Sequence, residues 1–317
     1  MKILFIGDPH IKTDNHIDVD ILLSELEKIC QSITFDLIIV GGDVMHYHER
    51  IFTQALNKTL HFIKTLSKYA HIDILVGNHD MINNQQFLTS NHWLNVFSEK
   101  NISVIDKPIK KQIDKFIFML CPYVFPGRFI EALETVDKNW KECNVIFAHQ
   151  EFKGCKMGSI ISVEGDEWKK EYPQIISGHI HDNQIINNIY YPGTPLQHCF
   201  GDSEKRIVCY IDENNKIINL DLNVPKKKIV KATLSTLPEI KETSMKIKLS
   251  ATQEEFKLFK QSDQYKEYID KGVKIQLEKT KSEIHSDQKT FQTILDDLIL
   301  KDGNSLLKKI YKSIINE

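Results

Sequence analysis

Five times between Met1 and His181, a short apolar, β-like run ends in a small polar cluster built from Gly, Asp, Asn and His. The runs are Lys2–Ile6, Leu37–Val40, Ile72–Val76, Val145–Phe147 and Ile175–Ser177. The clusters are Gly7-Asp8-Pro9-His10, Gly41-Gly42-Asp43, Gly77-Asn78-His79-Asp80, Ala148-His149-Gln150 and Gly178-His179-Ile180-His181. Between the second and third runs, Phe52, Ala55, Leu56, Leu60, Ile63 and Leu66 recur at three- and four-residue spacing, which predicts a helix with one face on a sheet. Runs alternating with such helices predict an α/β fold around a mostly buried sheet, whose carboxyl edge is where loops collect ligands. Ile102–Ile105 and Phe116–Leu120 are further strands, and Ile207–Ile211 with Ile217–Leu222, flanking an Asp-Glu-Asn-Asn turn, predict a closing hairpin.

Singly, each cluster reads as well as a helix cap or a turn. Together they offer carboxylate, imidazole and amide oxygen without thiolate, a set that suits Mn2+, Fe2+, Zn2+ or Mg2+ better than a structural thiolate zinc site. Asp8 and His10 are expected on one side of an extended turn, since side chains at i and i+2 share a face, and His179 and His181 likewise. Asp43, behind two glycines that let the backbone approach closely, is the natural carboxylate to bridge two ions. Two cations roughly 3.5–4 Å apart acidify a shared water and stabilise phosphoryl oxygens, so hydrolysis of a phosphoester is the chemistry such a set serves.

As a set the clusters resemble the motifs of the calcineurin-like metallophosphoesterases, D-x-H, G-D, G-N-H-D/E, a lone His and G-H-x-H, over residues 1–182. The resemblance implies a four-layer β-sandwich flanked by helices and two divalent metal ions, Mn2+ first among them. It implies that Asp8, His10 and His181 hold one ion, that Asn78, His149 and His179 hold the other, and that Asp43 bridges them. His79 is then a catalytic non-ligand that contacts the phosphate or protonates the leaving alkoxide.

Protein phosphatases of this superfamily are expected to follow the bridging Asp with Arg-Gly, whereas Asp43 is followed by Val44-Met45-His46. The segment is similar to SbcD-type nuclease subunits and the eukaryotic meiotic-recombination nuclease, which place a His three residues after that Asp. By this resemblance His46 is a second catalytic residue, positioning the phosphate of a DNA end. The stretches from His149 to Gly154 and from Tyr191 to Gly201 are similar to segments of the same nucleases. The implied activity is that of a 3'-5' double-strand exonuclease and single-strand endonuclease. The implied partners are DNA, an SbcC-like coiled-coil ATPase and a second copy of the chain. The alternative is a stand-alone phosphodiesterase for cyclic or small nucleotides; a non-enzymatic scaffold fits poorly with an intact ligand set.

Charge divides the chain near the end of the hairpin. Residues 223–317 carry 19 Lys, no Arg and 14 acidic residues, leaving 22 basic and 29 acidic residues in 1–222, where twelve of the thirteen His also lie. The expected organisation is a phosphoesterase domain over 1–222, a small α/β cap over 223–284 and a helix-loop-helix over 285–317. In the cap, Ile229–Leu234, Met245–Leu249 and Val273–Leu277 read as strands and Thr252 to Asp270 as one helix. In the tail, Phe291, Ile294, Leu295 and Leu298, then Leu307, Ile310, Tyr311 and Ile314, form stripes on helices too short to be stable alone. By resemblance in layout, these helices dock on the ATPase. Six dispersed Cys without C-x-x-C spacing read as reduced thiols, and with no long apolar span an intracellular protein off the membrane is expected. Lys107, Lys110 and Lys111 read as ordinary surface charge or as candidates for a DNA groove, Lys226-Lys227-Lys228 as a solvated linker with phosphate contact as the second reading, and His48 is the non-motif His nearest the second cluster.

Overall fold

The structure is a computed structural model that describes residues 1–240, 244–278, 291–301 and 304–315. The expected boundary between cap and tail lies outside these residues. The chain divides into two compact units, Met1–Lys227 and Lys228–Glu317.

The first unit is built on two six-stranded sheets. One runs in the order Ile217–Asp221, Ile207–Asp212, Lys2–Ile6, Leu37–Val40, Ile72–Leu75, Ile102–Ile105, its last four strands mutually parallel. The other runs Gln184–Ile186, Ile189–Tyr191, Gln174–Gly178, Val145–His149, Phe116–Cys121, Ile109–Ile113, its four central strands parallel. Alternation along each strand builds the layers, because neighbouring side chains point to opposite faces. Ile3 and Phe5 pack with Phe118 and Phe147 between the sheets, where Phe5 and Phe147 stack at 5.9 Å. Leu4 and Ile6 turn outward under the helices His16–Ser32 and Thr53–Leu66. Ile146 and Ala148 turn to the opposite flank, against Phe129, Trp140 and Trp168. The result is the expected four-layer α/β sandwich.

The helix His16–Ser32 is an addition to the expected elements, although Val19, Leu22, Leu23, Leu26 and Cys30 fall on one buried face at helical spacing. The strand Ile109–Ile113 corrects the reading of two lysines. Lys110 pairs with Asp137 at 2.5 Å, and Lys111 reaches both oxygens of the fully buried Asp73 on the other sheet, at 2.6 and 2.7 Å. These ammonium groups are committed to neutralising carboxylates, one of them inside the sandwich. Lys227, expected in a solvated linker, instead donates its backbone N–H to Gln197 and its Nζ to the His198 carbonyl.

The second unit holds a parallel sheet of Lys228–Ala232, Met245–Ser250 and Lys274–Glu278 over Phe259, Tyr268 and Val273. The single helix expected over Thr252 to Asp270 is two, Gln253–Phe259 and Asp263–Asp270. Thr252 and Glu255 form a reciprocal cap on the first, and the Ser262 hydroxyl accepts the Tyr265 N–H to start the second. The tail helices Phe291–Lys301 and Ser305–Ile315 touch each other, with the Tyr311 hydroxyl 2.7 Å from Asp296. Among the described residues no helix is long and apolar enough to cross a membrane.

Candidate metal centre

All five clusters lie at the carboxyl ends of parallel strands, so both sheets deliver their polar residues to one edge of the sandwich. The first sheet supplies Asp8, His10, Asp43, Asn78 and His79, and the second supplies His149, His179 and His181. Asp8, His10, Asp43, Asn78 and His149 are buried, a costly placement for polar groups unless something compensates it.

The ligand atoms fall into two groups. Those of Asp8, His10 and His181 lie within 4.8 Å of one another, as do those of Asp43, His149 and His179. Asn78 joins the second, its Oδ1 3.0 Å from His149 Nε2 and 2.9 Å from His179 Nδ1. Asp43 stands between them, with Oδ2 3.7 Å from His10 Nε2 and 3.4 Å from His149 Nε2.

Hydrogen bonding tests whether cations fit. His149 Nδ1 is 2.6 Å from the Gly41 carbonyl, which can only accept, so that nitrogen carries the hydrogen. Nε2 then aims a lone pair at the oxygens of Asn78 and Asp43. His10 Nε2 and His181 Nε2 face each other at 3.1 Å, and Asp8 Oδ1 is buried with no hydrogen-bond partner. Electron-rich atoms converging on one point repel unless a positive charge sits among them, and these oxygen and imidazole donors suit a divalent cation. Protons answer the same demand in the metal-free protein. Burial, reinforced by Asp43, pushes Asp8 up to about 8. His149 rises to about 9, the carboxylates of Asp43 and Asp8 outweighing a burial that opposes it.

The backbone corrects one expectation. Asp8 and His10 do not share an extended turn, nor do His179 and His181, because His10 and His179 take left-handed φ values of 43° and 76°; Asp43 does the same at 48°. Such conformations cost non-glycine residues about 1–3 kcal/mol each and persist where surrounding bonds impose them. Here Asp43 O and Val44 O receive His10 N–H and Ile11 N–H at 3.0 and 2.8 Å, and Asn15 donates to the His10 carbonyl at 3.1 Å. Gly77 is required for closeness, since a Cβ there would collide with Asp43 Oδ1. Asp80 ties the same loops together, accepting from Val44 N, Gly77 N and Trp93 Nε1.

His79 is held apart from the ligand pairs. Its backbone N–H donates to Asp43 Oδ1 at 2.7 Å, and its Nδ1 lies 2.5 Å from the His46 carbonyl, so Nδ1 carries the hydrogen and Nε2 is the free atom. His48 stacks on it at 4.2 Å. The ring nitrogens of His46, His10 and His79 form a third close group.

The calcineurin-like phosphoesterase profile matches residues 1–183. The chain belongs to the calcineurin-like phosphoesterases. It is 43% identical over 277 residues, 82% of this chain and 98% of the relative, to "Putative phosphoesterase 244L" of Invertebrate iridescent virus 6. It is 36% identical over 335 aligned residues, 99% of this chain and 96% of the relative, to "Putative phosphoesterase 078R" of Invertebrate iridescent virus 3. A more distant match, 26% over 223 residues, covers 64% of this chain and 61% of "Exonuclease subunit 1" of Enterobacteria phage T4. This phosphoesterase is therefore a hydrolase of phosphoester bonds, in a family that uses divalent metals.

Two residues of the phosphoesterase edge are absent from the set expected on sequence grounds. His198 has no motif of its own, yet its ring packs 4.7 Å from His10 and 5.3 Å from His181, with both nitrogens buried and unpartnered. Its signal is its place in the Tyr191–Gly201 stretch, a loop that Arg206 organises by donating to Thr194. Tyr123, which in the sequence reads as a core aromatic or as the start of a Pro-Gly loop facing the substrate, is buried 5.6 Å from the His179 ring. His71 and His92 lie elsewhere, beside Asp73 and Asp106, and His285 is outside the described residues.

Proposed function

We propose that this phosphoesterase is a two-metal DNA nuclease of the SbcD type, with Mn2+ as its metal. The observation that carries the reading is His46: three residues past Asp43, its carbonyl fixes the tautomer of His79 while its ring stands 5.3 Å from His10. The similarity to a phage protein named as an exonuclease subunit supports it.

In this reading Asp8, His10 and His181 hold one ion, Asn78, His149 and His179 the other, and Asp43 serves both. When bound, the ions supply positive charge for the phosphoryl oxygens and acidify the attacking water. The chain's own residues do the rest. The Gly41 carbonyl keeps His149 in the tautomer that offers Nε2, and Asn84 orients the Asn78 amide at 3.4 Å so that Oδ1 faces the rings. With Nδ1–H held by the His46 carbonyl, His79 in its doubly protonated form would contact the phosphate through Nε2–H and give that proton to the leaving oxygen, returning to the neutral Nδ1–H tautomer. The His46 ring positions the phosphate of a strand end.

A coiled-coil ATPase is the proposed partner of the tail helices. Ile294, Leu298, Leu306, Leu307 and Ile310 are exposed on helices of 11 residues each, a length that needs a packing surface. A homodimer is proposed as the assembly, with the second unit as a cap.

The test is the purified chain with Mn2+ on linear duplex and circular single-stranded DNA, beside cyclic nucleotides and bis(p-nitrophenyl) phosphate. Both DNAs are expected to be cut. If both survive while a cyclic nucleotide is hydrolysed, the enzyme is a small-nucleotide phosphodiesterase and the nuclease reading fails. His46→Ala is expected to slow degradation from duplex ends by about tenfold or more and nicking of the circle much less, through lost phosphate positioning.

A further inference from the structure

Next to His46 and His79 lies a cavity of about 350 Å3 whose walls continue the same two loops. Tyr47, Glu49 and Ile51 come from the segment after His46, Ile82 from the segment after His79, and Asn91 and Trp93 close the far side. We propose that this pocket receives a nucleobase of the nucleotide whose phosphate is handled by His46 and His79. The proposal rests on the nuclease reading and names how that site grips its substrate.

Shape and chemistry both point to a base. Tyr47, Ile51 and Ile82 are 37%, 51% and 38% exposed, so apolar surface is presented to solvent inside a concavity, where a flat apolar ligand gains most. The pocket is also preformed. Tyr47 is braced by Phe52 and His46 at ring distances of 4.9 and 5.0 Å, and Trp93 is pinned by its bond to Asp80 at 3.0 Å. Met81 and His92 pair across the floor as an antiparallel bridge. An aromatic platform held in this way serves stacking with any base, since every base has a π-face.

The polar groups choose the base over another phosphate. The cavity wall carries Glu49 and Asp80, and carboxylates repel a phosphodiester. Both Asp80 oxygens are occupied by Val44, Gly77 and Trp93 donors, which leaves Glu49 as the carboxylate to accept from an exocyclic amino group or ring N–H. The Tyr47 ring on the cavity wall lies 5.0 Å from the His46 ring, which places the base subsite beside the group that handles the phosphate.

The test measures binding to the full-length, Mn2+-loaded chain and needs no cleavage of DNA. Deoxynucleoside 5'-monophosphates are compared with 2-deoxyribose 5-phosphate by calorimetry, in the unsubstituted protein and in Tyr47→Ala and Tyr47→Phe. The nucleotide is expected to bind about tenfold more tightly than the sugar phosphate. Tyr47→Ala should erase that ratio while leaving the sugar phosphate affinity unchanged, and Tyr47→Phe should keep it. Equal binding of both ligands by the unsubstituted protein overturns the pocket, as does a Tyr47→Ala protein that retains the ratio or weakens both ligands alike. DNA left uncut with the ratio intact overturns the nuclease reading and spares the pocket; DNA cut by a protein that binds nucleotide and sugar phosphate equally does the reverse.

Discussion

Asp43→Asn is expected to lower phosphodiester turnover by about a thousandfold or more. Asp43 stands between the two ligand groups, facing His10 at 3.7 Å and His149 at 3.4 Å through Oδ2 while Oδ1 receives the His79 N–H. Asparagine keeps the shape and one oxygen but removes the charge on which two cations depend. Despite burial, which raises it, Asp43 is held well below the usual carboxylate range by the facing His149, His10 and His79 rings, so it is the charged form that is lost. Turnover at saturating Mn2+ together with the metal content of the variant checks this. A kcat within tenfold of the unsubstituted enzyme would show that Asp43 bridges nothing that matters.

His79→Ala is expected to reduce kcat on DNA by about 10^2–10^4 with metal content unchanged, the range in which a positioned proton donor acts. The side chain belongs to neither of the two ligand groups, and its Nε2 is 3.9 Å from Asp43 Oδ2. Substrate choice isolates the role. A p-nitrophenolate leaving group needs little protonation, so the variant should lose much less on bis(p-nitrophenyl) phosphate than on DNA. A uniform loss on both substrates would make His79 a phosphate-binding group alone, and a loss of bound metal would make it a ligand.

Much of the centre was legible because its residues come directly after short, strongly apolar runs. Lys2–Ile6, Leu37–Val40 and Val145–His149 are buried along nearly their whole length, and a buried parallel strand delivers the loop after it to the carboxyl edge of its sheet. The structure brings Asp8 together with His10 and His181, and Asn78 together with His149 and His179. The means were not legible. An i, i+2 argument assumes extended backbone, whereas His10 and His179 reach their partners through left-handed turns imposed by contacts distant in sequence. His198 escaped for a related reason: it sits in an irregular loop with no period to read, placed by a buried Arg206. Lys111 looked like free surface charge because its partner, Asp73, is 38 residues away on another sheet. The split at Ser262 was hidden in a helical pattern that a single hydroxyl interrupts.

The acidic, His-rich first 222 residues acquire a physical meaning from the same geometry. Asp8 and Asp43 are charges buried for cations to neutralise, and His10, His46, His48, His79, His149, His179, His181 and His198 gather at the same edge. This edge is expected to bind two divalent ions, with hydrolysis dependent on both. Mn2+ added stepwise to chelated protein, with bound metal and turnover of bis(p-nitrophenyl) phosphate followed together, tests it most directly. Turnover should be absent in the chelated protein and rise as the second ion per chain binds. Full turnover without metal, or saturation at one bound ion, would contradict the account.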